Sequence, residues 1–307
     1  MSIDTIRFIA TSIMISLLCL HSLDSQAQST EASDQVGEEG STDDVPALDL
    51  FDEDTERTEK GWIQFYASAG FMYLDGDGKF FARLPSGEEV TIIDFDRVGL
   101  KDTDSSYWLS LNWRSAHSRW GAWFGSWRYD VVGSRTWEDS LPIGGTEIPV
   151  GASVTSEFDA TWYILEATYS FYRTESVDTG IGFGFHTVDL GTTLTARIQI
   201  GDQEVQVVSK NLDTLAPLPN LLVYLHWKFK PRWNLVGRVG YFGLDYGDYS
   251  GQMTNAHAMF NYQLSSRWAL GIGYQFVDLD LDVKKQDYTQ VYDVEFSGPI
   301  AFARFSF

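Results

Sequence analysis

Arg114, Arg128, Glu166, His186, His226, Lys228, Arg238, His257, Asn261, Gln275 and Glu295 all fall within alternating apolar and polar runs, on what reads as the polar side. Residues i and i+2 of a strand share a face, so these side chains are expected to converge on a common interior. Opposite charges in a narrow dry space must pair or find water. The set therefore predicts a polar plug, or the lining of a narrow small-solute pore; mixed signs with no single-sign ring argue against strong ion selectivity. A His beside an acid such as Glu166 is also what acid–base or nucleophilic hydrolysis needs. Against that, His117 falls in a short turn, His21 lies near the N-terminus, and no Gly-x-Ser-x-Gly elbow is present.

A second group is purely acidic. Asp278, Asp280 and Asp282 alternate on one face, and Asp75 and Asp77 sit in a Gly-rich stretch. Carboxylates at outer loops can bind Ca²⁺ or share divalent ions with lipid phosphates. The Asp75-Gly76-Asp77-Gly78 stretch is too short for an EF-hand loop and lacks its terminal Glu. A divalent cation at the external loops is thus the one cofactor the sequence suggests.

What must position these residues is a set of long alternating runs beginning at Trp62. Ten are long enough to cross a bilayer as tilted strands, which takes about 9–11 residues each. They are Trp62 to Leu74, Ser106 to Arg114, Arg119 to Val132, Phe158 to Tyr172, Thr179 to Leu194, Leu215 to Phe229, Trp233 to Tyr246, Met253 to Leu264, Trp268 to Leu281 and Val291 to Phe307. Tight turns are expected at Ala116-His117-Ser118, Glu175-Ser176, Lys230-Pro231-Arg232 and Ser265-Ser266. Longer polar connections are expected at 75–105, 133–157, 195–214 and 282–290. The pattern predicts an all-β chain folded as a single antiparallel transmembrane β-barrel, with ten strands and with eight or twelve left open by the strand-like stretch Glu89 to Phe95. Trp62, Trp120, Trp233 and Trp268 beside the tight turns would form an interfacial girdle. A soluble β-barrel binding protein also alternates, but its apolar faces would point inward and its outer faces would be charged.

Residues 1–27 read as a secretory signal peptide, with Arg7, an apolar run from Phe8 to Leu20, and Ser25-Gln26-Ala27 for cleavage. That run is too short to span a bilayer as a helix. Cys19, the chain's one cysteine, falls inside it, so neither disulfides nor thiolate chemistry is expected in the mature protein. Residues 28–60 carry twelve acidic side chains among Ser, Thr and Gly, which predicts a disordered acidic leader before a barrel at 61–307. The formal net charge of −21 argues against nucleic acid as a partner.

The chain ends with Ala301, Ala303, Phe305 and Phe307 on one face and Arg304 and Ser306 on the other. This resembles the C-terminal signature of bacterial outer-membrane barrels. Ile93-Asp94-Phe95 leading to Val98-Gly99-Leu100, Leu109-Ser110-Leu111-Asn112-Trp113-Arg114 and Ala216-Pro217-Leu218-Pro219 are similar to stretches of a family of uncharacterised proteobacterial outer-membrane barrels. The resemblance implies a fold and the outer membrane, and no established activity. The expected partners are outer-membrane lipid, lipopolysaccharide and the barrel assembly machinery, with the chain acting as a monomer. A structural or narrow-channel role is expected first, and a lipid-modifying hydrolase or protease second.

Overall fold

The computed structural model describes residues 65–87, 89–137, 141–143, 146–200 and 203–307. The expected signal peptide and acidic leader, and Trp62 with them, lie outside the described residues. In chain order the elements are β1 (Phe65–Arg83), β2 (Glu89–Asp94), a one-turn helix α1 (Phe95–Val98), β3 (Thr103–Arg114), β4 (Trp120–Thr136), β5 (Leu141–Ile143), β6 (Thr146–Ile148), β7 (Ser153–Arg173), β8 (Val177–Ile200), β9 (Gln203–Lys230), β10 (Trp233–Tyr246), β11 (Tyr249–Gln263), β12 (Trp268–Lys284) and β13 (Thr289–Ser306). Ten of the strands form one antiparallel ring, closed by β13 against β1. Closure removes the unpaired edges that an open sheet would expose.

The ring uses short turns at one end, here called inner, at 115–119, 174–176, 231–232 and 264–267. Polar side chains hold them: Ser115 Oγ accepts from the backbone N–H of Ser118 at 3.0 Å, and Thr174 Oγ1 accepts from that of Val177 at 2.9 Å. At the other, outer end the strands run further than alternation within the bilayer alone suggests. Thus 195–200 and 203–214 are strand rather than loop, because β8 and β9 stay paired from Val177–Trp227 to Ile200–Gln203. Glu89 to Asp94 forms β2, which pairs with β1 outside the ring, and β5 with β6 makes a separate small hairpin.

Side-chain direction divides each strand in two. From Phe65 to Tyr73 the outward face of β1 is apolar, with Phe71 78% exposed, whereas Asp75, Asp77 and Lys79 occupy the same face beyond it. On β12, Leu270, Ile272 (66% exposed) and Tyr274 point outward; past Gln275 the outward positions are Asp278, Asp280 and Asp282, while Val277, Leu279 and Leu281 are buried inside. On β7, Phe171, Tyr169, Leu165 and Tyr163 face out before Thr161, Asp159 and Glu157 take over, and Glu166, Thr168 and Ser170 face in before Trp162, Ala160 and Phe158 do. β13 repeats the exchange, with Tyr292, Val294 and Phe296 inside. On β9 the outward apolar face continues further, through Leu215, Pro217 and Pro219.

Apolar side chains follow the non-aqueous side, so an inversion of parity marks where that side changes. Below it the barrel faces hydrocarbon; above it the barrel faces water. Exposed aromatics border the lower zone at both limits, with Trp113, Trp120, Trp233 and Trp268 at the inner end and Tyr73, Tyr107, Tyr163, Tyr241 and Tyr274 at the outer. Phe65 to Tyr73 spans roughly 26 Å of strand, enough for the apolar band of a barrel of this class. No helix among the described residues is long and apolar enough to cross a membrane; the strands do so instead.

Above the band the interior is a packed core. Trp127 and Trp162 stack at 5.0 Å with an 11° interplanar angle, and Phe158, Phe296 and Tyr129 surround them. The connection between β2 and β3 adds to this core at its outer end. Its Phe95, Val98 and Leu100 are buried, and Phe95 lies 4.9 Å from Phe158, ring to ring. Tyr129 donates its phenol proton toward the carbonyls of Lys101 and Asp102, both at 3.1 Å. The seat is tight at Gly133, where a Cβ would stand 1.9 Å from the Gly99 carbonyl oxygen. Pairing of β9 with β10 ends at Leu221, just inside Pro217 and Pro219; lacking an N–H, the prolines fit a stretch whose second neighbour is gone.

The inversion predicts opposite outcomes for one substitution. Leu111→Arg or Ile272→Arg, in the apolar band, is expected to destabilise the barrel by about 2–4 kcal/mol. Thr195→Arg, on the outward face of β8 above it, is expected to stay within about 0.5 kcal/mol. Urea unfolding from phospholipid vesicles measures both.

Candidate functional site

Within the lower zone the outward faces take the apolar residues, so the inward faces carry what remains. That leaves a layer of buried polar and charged side chains beneath the aromatic core. Glu166 (β7), His186 (β8) and Arg238 (β10) meet there. Arg238 Nη1 donates to Glu166 Oε2 at 2.6 Å, and His186 Nε2 lies 3.4 Å from Glu166 Oε1. Asn220 extends the chain, its Nδ2 3.2 Å from His186 Nε2, and Asn255 donates to Asn220 Oδ1 at 3.2 Å. Arg238 also covers the face of Trp123 at 4.6 Å, and His257 lies 5.6 Å from the same ring.

Nearer the inner turns a second cluster forms around Asp178 at the start of β8. Its carboxylate is fully buried and pairs with Arg114 and, at 3.2 Å, with Arg173. Tyr224 donates to Asp178 Oδ1 at 3.2 Å and shares a 2.7 Å hydrogen bond with Ser170. Arg114 Nη2 stands 3.5 Å from His226 Nε2, and its guanidinium lies over the Tyr224 ring at 5.3 Å. Arg304 completes the layer from β13, donating to Gln263 Oε1 at 2.8 Å above the Tyr66 ring.

Arg114, Glu166, His186, His226, Arg238, Asn261 and Gln275 are buried on the inward faces, and His257 and Lys228 share those faces half-buried. Two expected members stand elsewhere. Arg128 points outward on β4 and pairs with Asp130 at 2.8 Å, both about half exposed. Glu295 is on the outward face of β13, flanked in register by Asp77 and Asp278. Both lie above the inversion, where charge belongs on the watered exterior and the interior is apolar. Asp178, Tyr224 and Arg304 are central and were not among the expected residues. Arg304 is visible in the sequence as the inward neighbour of Phe305, but Asp178 immediately precedes the expected start of its strand.

The acidic face of β12 lies outside the wall. Asp282 pairs with Arg83 at 3.5 Å, Asp280 accepts from Gln252 at 2.7 Å, and Lys79 pairs with Asp293 at 3.0 Å. Together they border an open cleft of about 590 Å³ above Tyr241. Among the described residues, no three His, Cys, Asp or Glu side chains gather closely enough to hold a metal ion. Asp278, Asp280 and Asp282 are thus a ladder of separate carboxylates rather than a shared ligand set.

The barrel is similar to the crystal structure of the outer membrane protease OmpT from Escherichia coli, with a TM-score of 0.54 and 12% identity over 81% of this chain and 100% of that one. Looser superpositions include the toluene transporter TodX of P. putida (TM-score 0.30, 9% identity, 84% of this chain and 92% of that one) and the attachment invasion locus protein Ail of Yersinia pestis (0.29, 9%, 80% and 99%). At such identities the likeness is one of fold. No family model and no curated protein sequence matches the chain.

Because Glu166 and Arg238 are almost fully buried, Glu166→Leu leaves a guanidinium without its counter-charge. The expected cost is about 3–5 kcal/mol. Adding Arg238→Met is expected to recover most of it, since a buried pair replaced by apolar groups is often neutral. Chemical unfolding of the single and double variants checks both.

Proposed function

We propose that this chain is a closed, non-enzymatic outer-membrane barrel with a structural role, carrying a water-exposed collar above the membrane. The observation that supports this most is the filled interior: the cap of Phe95, Val98 and Leu100, the Trp127–Trp162 core and the Glu166–Arg238 layer succeed one another along the axis. A solute pathway needs a continuous polar lining; here the outer half of the interior is apolar and packed.

The same geometry weighs against the hydrolase or protease reading, although one protein of similar fold is named a protease. Its general base would have to meet substrate at the outer rim. His186, His226 and His257 lie in the layer below the aromatic core, and His117 is in an inner turn. Among the described residues, that leaves no histidine at the outer end. The soluble reading meets the contrary evidence of Phe71, Ile272 and Leu221, 78%, 66% and 67% exposed on the lower outer surface.

Outer-membrane lipid would surround the apolar band, with lipopolysaccharide headgroups beside the collar. The barrel assembly machinery would recognise the closing strand β13, beside which Phe307 is 75% exposed. Divalent cations would reach the outward carboxylates only as ions shared with lipid phosphates. Closure of the ten-stranded ring through β13 and β1 is compatible with a monomer.

Reconstituted into planar bilayers, the protein is expected to show no unitary current steps across the usable voltage range. Reproducible steps of one defined conductance would favour the channel reading instead.

A further inference from the structure

The charges in the buried layer do not balance. Among the described residues two buried carboxylates, Glu166 and Asp178, face three buried guanidiniums, Arg114, Arg238 and Arg304, and Asp178 is shared with Arg173 as well. Arg304 is 4% exposed, and its neighbours are the neutral Gln263 amide and the Tyr66 ring. Histidine and lysine nearby add no negative charge. A buried cation without a counter-charge is costly.

Beside it lies a cavity of about 20 Å³, lined by both Arg238 and Arg304 together with His257, Ser68, Ser110 and Asn261. The Nε–H groups of Arg238 and Arg304 are buried and have no hydrogen-bond acceptor in the protein. The wall thus combines two guanidiniums with hydroxyl and amide groups able to donate, and it includes no carboxylate. A volume of this size accepts one water-sized occupant. Donors with excess positive charge select an anion.

From these observations we infer that the cavity between Arg238 and Arg304 is a binding site for a single halide-sized monovalent anion. Such an ion supplies the counter-charge that Arg304 lacks and an acceptor for the two free Nε–H groups. Sulfate, phosphate and carboxylates with a carbon chain are too large for the space. The ion is a fixed structural component, since the aromatic core above it leaves no through-path.

The test uses the full mature protein refolded in detergent and heated in sodium bromide or sodium gluconate at equal ionic strength. A ligand bound only by the folded state raises the transition. A rise of roughly 2–4 °C in bromide is expected. Arg304→Gln is expected to abolish the difference while keeping the fold in gluconate. Should that variant fail to fold, Ser110→Leu, which fills the cavity and leaves every charge in place, is expected to abolish it too. Crystals grown in bromide are expected to give an anomalous peak between the two guanidiniums. Identical transitions in the two salts overturn the proposal, whether the map then shows water alone or an ion held only at crystal concentration.

Discussion

A β-strand offers its side chains two directions and no more, and here the medium on the outer side changes part way up the wall. Everything else in the structure answers to that constraint. Where the surroundings are hydrocarbon, Leu, Ile, Phe and Tyr must point out; where they are water, the same faces turn to Asp, Glu, Lys and Thr and the apolar residues go inside. β1, β13 and β12 make the exchange at paired positions, Asp75 opposite Ser297 and Ser297 opposite Phe276, and β7 makes it too, so it is shared between strands rather than owed to any one of them.

The two zones therefore have different interiors. In the lower one, polar side chains are left facing each other in a narrow space, and they are held by pairs and networks: Glu166 with Arg238 and His186, Asp178 with Arg114, Arg173 and Tyr224. In the upper one the barrel packs like a water-soluble protein around Trp127, Trp162, Phe158 and Phe296. Even there polar atoms are paired, as in Tyr292 donating to Thr214 and Thr214 to Gln290 at 3.1 and 2.9 Å. Among the described residues, side chains fill the interior in both zones.

The sequence made the ring legible because lipid-facing runs such as Leu109 to Trp113 and the turns at Ser265-Ser266 are strong local signals. Ten strands and the inner girdle of Trp120, Trp233 and Trp268 follow from them. What misled was carrying the rule that charge faces inward beyond the membrane. It misassigned Arg128 and Glu295, and the connection expected at 195–214 took in the last six residues of β8 and the first twelve of β9. In fact Ala196 continues there the inward alternation of Leu190 and Leu194 into the upper core. Pairings such as Arg238 with Glu166 join residues distant in sequence on β10 and β7. Cross-barrel contact depends on three-dimensional closure, which no spacing along one strand records.

The most direct test reads the medium at each position of β12. The chain's one cysteine, Cys19, falls within the expected signal peptide, so single cysteines introduced into the mature protein from Leu270 to Asp282 can carry nitroxide labels in a bilayer. Collisions with oxygen report lipid, and collisions with a water-soluble nickel chelate report water. The even positions are predicted to favour oxygen at 270, 272 and 274 and the chelate at 278, 280 and 282, with 277, 279 and 281 shielded from both. Uniform lipid or uniform water exposure along the even positions would contradict the account.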